Sequence, residues 1–219
     1  MFASLMSAEG RAEEKYRESM FSVVNATFGT GIASLANPTA YDVTKCLMSF
    51  YNSAAAGSGR IILLDQISLR ATQANTSGTS YHFQFVKRSG NTTSGGSALT
   101  PVNMGGNAVT LITALRATIA TVLFGALTGT AAAATTDRII WREQVRDVVF
   151  AADDTVHLLF GEGVTGTHGA TTSGTSKSVR LPPMWVQPGE TLQIHELSPS
   201  SSDDPAFEVS ACWFERPTP

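Results

Sequence analysis

Residues 80–87 read SYHFQFVK, with Tyr81, Phe83 and Phe85 on one side of an extended chain and His82, Gln84 and Val86 on the other. Side chains alternate faces along a strand, so the stretch predicts a β-strand that presents three aromatics to one sheet face. On either side of it, short apolar runs alternate with Gly/Ser/Thr-rich punctuation from residue 44 to the end, the rhythm of strands and loops. Before it, 45–51 reads as a strand, AAAGSG as a turn, and 60–71 as a long strand apolar on both faces, as a strand covered on both sides must be. After it, SGNTTSGGS at 89–97 reads as a flexible loop, and 99–102, with Pro101, as a strand edge or loop. Residues 138–149 and 155–160 read as strands, and 161–176, rich in glycine and threonine, as a mobile tip. Then come 178–186, the turn QPGE at 187–190, 191–197, and a last strand over 207–215. Pro188 presets φ and Gly189 supplies the positive φ of a type II turn, so the segments flanking QPGE are expected to form a hairpin.

This pattern predicts an all-β protein, an antiparallel β-sandwich with jelly-roll-like connections, and no repeat that would indicate a solenoid. Phe83, Phe85, Ile67, Leu192, Val209 and Trp213 are the expected core. One body, 41–219, follows an N-terminal arm, 1–40. The arm begins with AEGRAEEKYRES at 8–19, mixed charges on good helix formers that predict a short helix capped by Ser7, and 21–37 reads as extended.

Charged residues make up 15% of the chain, against about 25% in soluble domains. A weakly charged surface suits a subunit that packs against neighbours. A net charge of -3 argues against broad electrostatic capture of nucleic acid, so no direct nucleic-acid partner is expected. Cys46 and Cys212 both lie in apolar runs, which favours two buried thiols and a cytosolic folding site. Residues 1–6 lack the pattern of a secretory signal. Residues 109–134 hold a single charge, Arg116, but their many threonines and glycines argue against a membrane span. They are expected to be buried in the sandwich or against a partner, and to supply the apolar surface for self-association.

Two motifs carry a family resemblance. One is Leu47–Tyr51, then Asn52, small residues and Gly57-Ser58-Gly59-Arg60-Ile61; the other is the apolar strand, the Pro188-Gly189-Glu190 turn and the closing strand ending Trp213-Phe214-Glu215. In these the chain resembles the small β-sandwich virion structural proteins of tailed bacteriophages, above all those that decorate or cement capsids. The resemblance implies a homotrimer located in the virion, with the major capsid protein or another virion protein as partner. It also leaves room for a tail or fibre component that binds a host receptor or glycan.

Motifs that carry catalysis are missing: the sequence has no GxSxG elbow, GxxxxGK[ST] loop, HExxH helix or CxxC pair, so no enzyme, catalytic residue, cofactor or metal is expected. His82, His157, His168 and His195 have no metal-ligand spacing, and His195 and Glu196 point to opposite faces of one strand. Asp153-Asp154 and Asp203-Asp204 lack the setting of a calcium loop and read as turns. The sharper candidates are in the arm. Arg11, Lys15 and Arg17 alternate with glutamates while Tyr16 and Phe21 add apolar anchors, a set suited to docking on a neighbouring subunit. A solvated helix that covers the chain's own sheet fits the same residues.

Overall fold

The computed structural model describes residues 20–33, 38–73, 81–104, 118–130, 138–146, 151–161, 176–198 and 206–217. Every regular element among them is a strand. In chain order these are β1 Met20–Val24, β2 Ile32–Ala33, β3 Cys46–Asn52, β4 Arg60–Ala71, β5 Tyr81–Ser89, β6 Thr93–Leu99 and β7 Val102–Asn103. Then follow β8 Ala120–Gly129, β9 Arg138–Arg146, β10 Thr155–Phe160, β11 Ser176–Leu181, β12 Trp185–Val186, β13 Glu190–Leu197 and β14 Ala206–Pro217. One sheet has the order β11-β10-β4-β14-β1-β7, with β12 added to β4 and β2 to β14; the second has the order β6-β8-β3-β13-β5-β9. Pairing among the described residues is antiparallel except between β10 and β11.

The core lies between the sheets. Ile62, Leu64, Ile67 and Leu69 of β4 and Val209, Ala211 and Trp213 of β14 face Phe50, Phe83, Phe85, Leu192 and Ile194 of the second sheet in one buried cluster. The register shift between Cys212 and Trp213 skips Asp65, an extra residue in β4, so that Leu64 and Ile67 both stay inward beside the unbroken alternation of β14. Edge-on aromatic pairs join the sheets, with Trp213 and Phe50 centroids 5.7 Å apart and Phe85 and Phe160 centroids 5.9 Å apart. All six residues expected in the core are at most 2% exposed. The long strand β4 is covered on both faces only over its first half, where Leu63 packs with Met20 and Phe214 in a second buried cluster on the outer side; beyond it Gln66, Ser68 and Arg70 leave the outer face part-exposed, contrary to the expectation for the whole strand.

Two buried polar side chains fix the chain where it changes sheet. Asn52 donates to the carbonyls of Arg60 (3.0 Å) and Val186 (2.9 Å) and accepts from the Ala54 amide (3.0 Å). Glu215 accepts from the Ile119 amide (3.0 Å) and the Trp213 indole (3.1 Å), and pairs with Arg60 (3.0 Å). Its carboxylate thus binds the end of β14 to the start of β8.

Several expectations need correction. The stretch 21–37 is not simply an extended arm: Met20–Val24 lies between β14 and β7, and Ile32–Ala33 pairs with β14. Phe21 is 1% exposed and stacks on Trp213 with centroids 6.1 Å apart, so it anchors the chain's own core and is not free to anchor a partner. The glycine-rich 89–97 is mostly strand: β6 pairs with β8, and its glycines shape a bulge. The QPGE turn forms, with the Glu190 amide 3.0 Å from the Gln187 carbonyl and Gly189 at φ 74°, but it does not make a hairpin. It passes the chain from β12, paired with β4 in one sheet, to β13 in the other. Of the sparsely charged 109–134, residues 118–130 are described, and Ala120, Val122, Phe124 and Leu127 of β8 are buried in the chain itself, so they offer no surface for self-association. Cys46 is buried, whereas Cys212 is only partly so. The helix expected at 8–19 and the tip at 162–175 lie outside the described residues.

Candidate functional site

Alternate residues of β1, β14 and β4 form rows on the outer face of the first sheet. Val24 stands opposite Ser210, Ser210 opposite Ser68, and Glu208 opposite Arg70. After Val24 the chain leaves β1 as a loop that is tied down onto β14. The Asn25 amide donates to the Val209 carbonyl (3.1 Å), the Asn25 side-chain oxygen accepts from the Val209 amide (2.6 Å), and Asn25 Nδ2 donates to the Thr30 carbonyl (3.0 Å). Further along, the Gly29 amide donates to Glu208 Oε1. Between these ties sits Phe28, 90% exposed.

Beneath the loop lies an open groove of about 440 Å³, whose lining includes Val24, Ala26, Phe28, Ser68, Arg70 and Glu208. The Arg70 guanidinium carbon lies 5.8 Å from the Phe28 ring centroid, within cation–π range. Arg70 also pairs with Asp153 Oδ1 (3.1 Å from Nε) and with Glu208. Asp153, then Glu208, push the Arg70 pKa still higher, so the cation is permanent. Asp153 adopts φ 70°, a left-handed conformation that Asp tolerates better than most residues, in the turn before β10. Beside the groove, His157 Nδ1 is 2.7 Å from Ser68 Oγ, and partial burial lowers the His157 pKa, which favours the neutral ring at pH 7. One fixed cation among two carboxylates leaves this rim with a local charge of about -1. At the sheet edge, Val102 of β7 is 60% exposed and opposite Ser22.

The arrangement is an exposed aromatic on a loop hydrogen-bonded to β14, beside a partly apolar groove with Glu208 and Arg70 in its lining. Arg11, Lys15, Tyr16 and Arg17 lie outside the described residues, as do His168, Asp203 and Asp204. The remaining histidines are not gathered together. His82 is partly exposed on β5, whereas buried His195 places Nδ1 against the Lys45 carbonyl and Nε2 3.2 Å from Gln193 Oε1. Asp154 accepts from the Ala151 amide (2.8 Å) within its turn. Trp185 of β12 is 41% exposed, with Lys87 Nζ 5.0 Å from its ring centroid. Among the described residues, no three His, Cys, Asp or Glu side chains converge in a way that could hold a metal, and no helix is long and apolar enough to cross a membrane.

Sequence reasoning missed Phe28. The available signal was an aromatic isolated between Asn25 and Gly29, in a stretch where turn formers outnumber apolar residues. Compared with protein-family models, with curated proteins and with solved structures, the chain matches none.

Proposed function

We propose that this chain is a virion structural protein, a capsid decoration or cement subunit that binds and stabilises the shell as a homotrimer. The observation that carries the reading is Phe28, an aromatic held nine-tenths exposed by a loop fastened to β14. Exposed aromatics held in place are the usual energetic anchors of protein interfaces. The low charged fraction of 15% supports the same reading.

A jelly-roll fold is part of the proposal, and the strand order supports it. Taken in chain order, β1, β3, β4, β5, β9, β10, β13 and β14 fall as first-eighth-third-sixth in one sheet and second-seventh-fourth-fifth in the other. That is the order of two interleaved Greek keys, with β6 and β8 as an added lobe. Viral capsid domains use this architecture, but lectins and cupins do too, so it supports the function only by analogy.

In this reading the subunit is made in the host cytoplasm and attaches through its N-terminal residues, with Arg11, Lys15, Tyr16 and Arg17 in contact with the capsid protein or a sister subunit. Deleting residues 1–19 is expected to leave a folded body that no longer loads onto particles. Reversing the charges at Arg11, Lys15 and Arg17 should weaken loading more at low salt than at high, since exposed ion pairs are screened over about 8 Å at physiological ionic strength. Normal loading of the truncated chain would refute attachment by this segment. A second reading, a tail or fibre component that binds a glycan, gains from the same exposed Phe28 with Arg70, Asp153 and Ser68 nearby. Specific, saturable binding on a glycan array, lost in Phe28→Ala, would favour it over the first.

A further inference from the structure

We infer that the groove beside Phe28 receives Lys15-Tyr16-Arg17 of a second copy of this chain, with Tyr16 in the groove and the two cations at its carboxylate rim. The inference rests on the proposed oligomer and names the contact that builds it.

Three observations lead there. First, the groove asks for a mixed ligand: Val24, Ala26 and Phe28 offer apolar walls, Glu208 lines it, and the one lining cation, Arg70, is paired with Glu208 and with a second carboxylate, Asp153, next to the groove. An aromatic flanked by cations meets both demands, through burial and through charge complementarity. Second, within residues 1–19 only Tyr16 has a cation on each side, Lys15 and Arg17. Third, the chain's own copy of that segment starts from the wrong end of β1. Met20 pairs with Phe214 and Val24 with Ser210, so β1 runs toward the groove and residue 19 departs at the far end.

Reach decides between the chain's own segment and a neighbour's. Glu208 lies two residues of β14 beyond the Val24 pairing, which puts it about 20 Å from Met20 at the rise of an extended strand. The four residue steps from Met20 back to Tyr16 span at most about 14 Å, before any length is spent on reversing direction. β14 and β7 occupy the two flanks of β1, so no straight return path lies open in the sheet. A second copy has no such restriction.

The test uses the full chain in solution, with sedimentation reading self-association. Phe28 is almost fully exposed, so Phe28→Asp should leave folding intact; it, and separately Tyr16→Asp, should weaken self-association at least tenfold. The decisive sample mixes the two variants. Copies with Phe28→Asp keep an intact Tyr16 and copies with Tyr16→Asp keep an intact groove, so the mixture should form hetero-complexes that neither variant forms alone. Wild-type association in either single variant, or no complex in the mixture, would overturn the inference. Particle loading, measured separately, tells its failure from that of the function. Variants that self-associate normally sink the groove contact alone, whereas a groove-built oligomer that ignores particles sinks the capsid role alone. A wild-type chain that stays monomeric sinks both the contact and the proposed oligomer.

Discussion

Glu215 ends β14 with a buried carboxylate that serves Arg60, the Ile119 amide and the Trp213 indole at once. Replacing it with alanine strands two buried donors and a partly buried guanidinium, so Glu215→Ala should cost about 3 kcal/mol in denaturant unfolding. Cys46 illustrates burial acting on a titratable group: loss of hydration pushes its thiol up to about 12. In the native state it should resist alkylation at pH 8 and react only after denaturation, whereas half-buried Cys212 reacts first. His157 gives a pH dependence. Its folded pKa is depressed by burial, so the unfolded chain, titrating near about 6.5, binds the proton more readily. The stabilisation is therefore complete above that value and is lost as pH falls toward the folded pKa. Unfolding midpoints measured from pH 7.5 to 5 should drop less in His157→Gln than in wild type. The burial of Cys46 was legible in its apolar run, but the roles of Glu215 and His157 were not, because a lone Glu or His on a strand looks the same whether its partners lie a whole chain away or not at all.

The strands were legible where period two was strong. Phe83 and Phe85 point inward, as the alternation around them requires, and Phe85→Ala or Trp213→Ala should cost about 3–5 kcal/mol. What alternation cannot convey is which sheet a strand joins. Pro188 and Gly189 specify that the chain turns, yet β12 on one side has already paired with β4 and β13 on the other enters between β3 and β5. The glycines of 89–97 misled for a related reason. Gly95 and Gly96 adopt φ 79° and 61° in a bulge of β6, where a Cβ on Gly96 would come 2.7 Å from the Phe124 carbonyl oxygen. Composition that suggests slackness is there a requirement of close packing. Gly96→Ala should therefore destabilise the fold by more than about 1 kcal/mol, as read by the thermal midpoint.

At the level of the complete chain, an all-β architecture in two sheets follows from the spacing of apolar runs. The surface that matters for function does not, because exposure of Phe28 depends on where β14 lies beneath its loop. The expected association surface at 109–134 failed in its described part for the same reason: an apolar run shows that something covers it, and here it is the chain's own core, which Ala120, Val122 and Phe124 of β8 join. In the proposed assembly, the Phe28 groove and the N-terminal residues carry association instead. Sedimentation equilibrium of the purified full chain at micromolar concentration tests this most directly. A particle of three times the 23.1 kDa chain mass is expected, and a single species at the mass of one chain across that range would refute self-association.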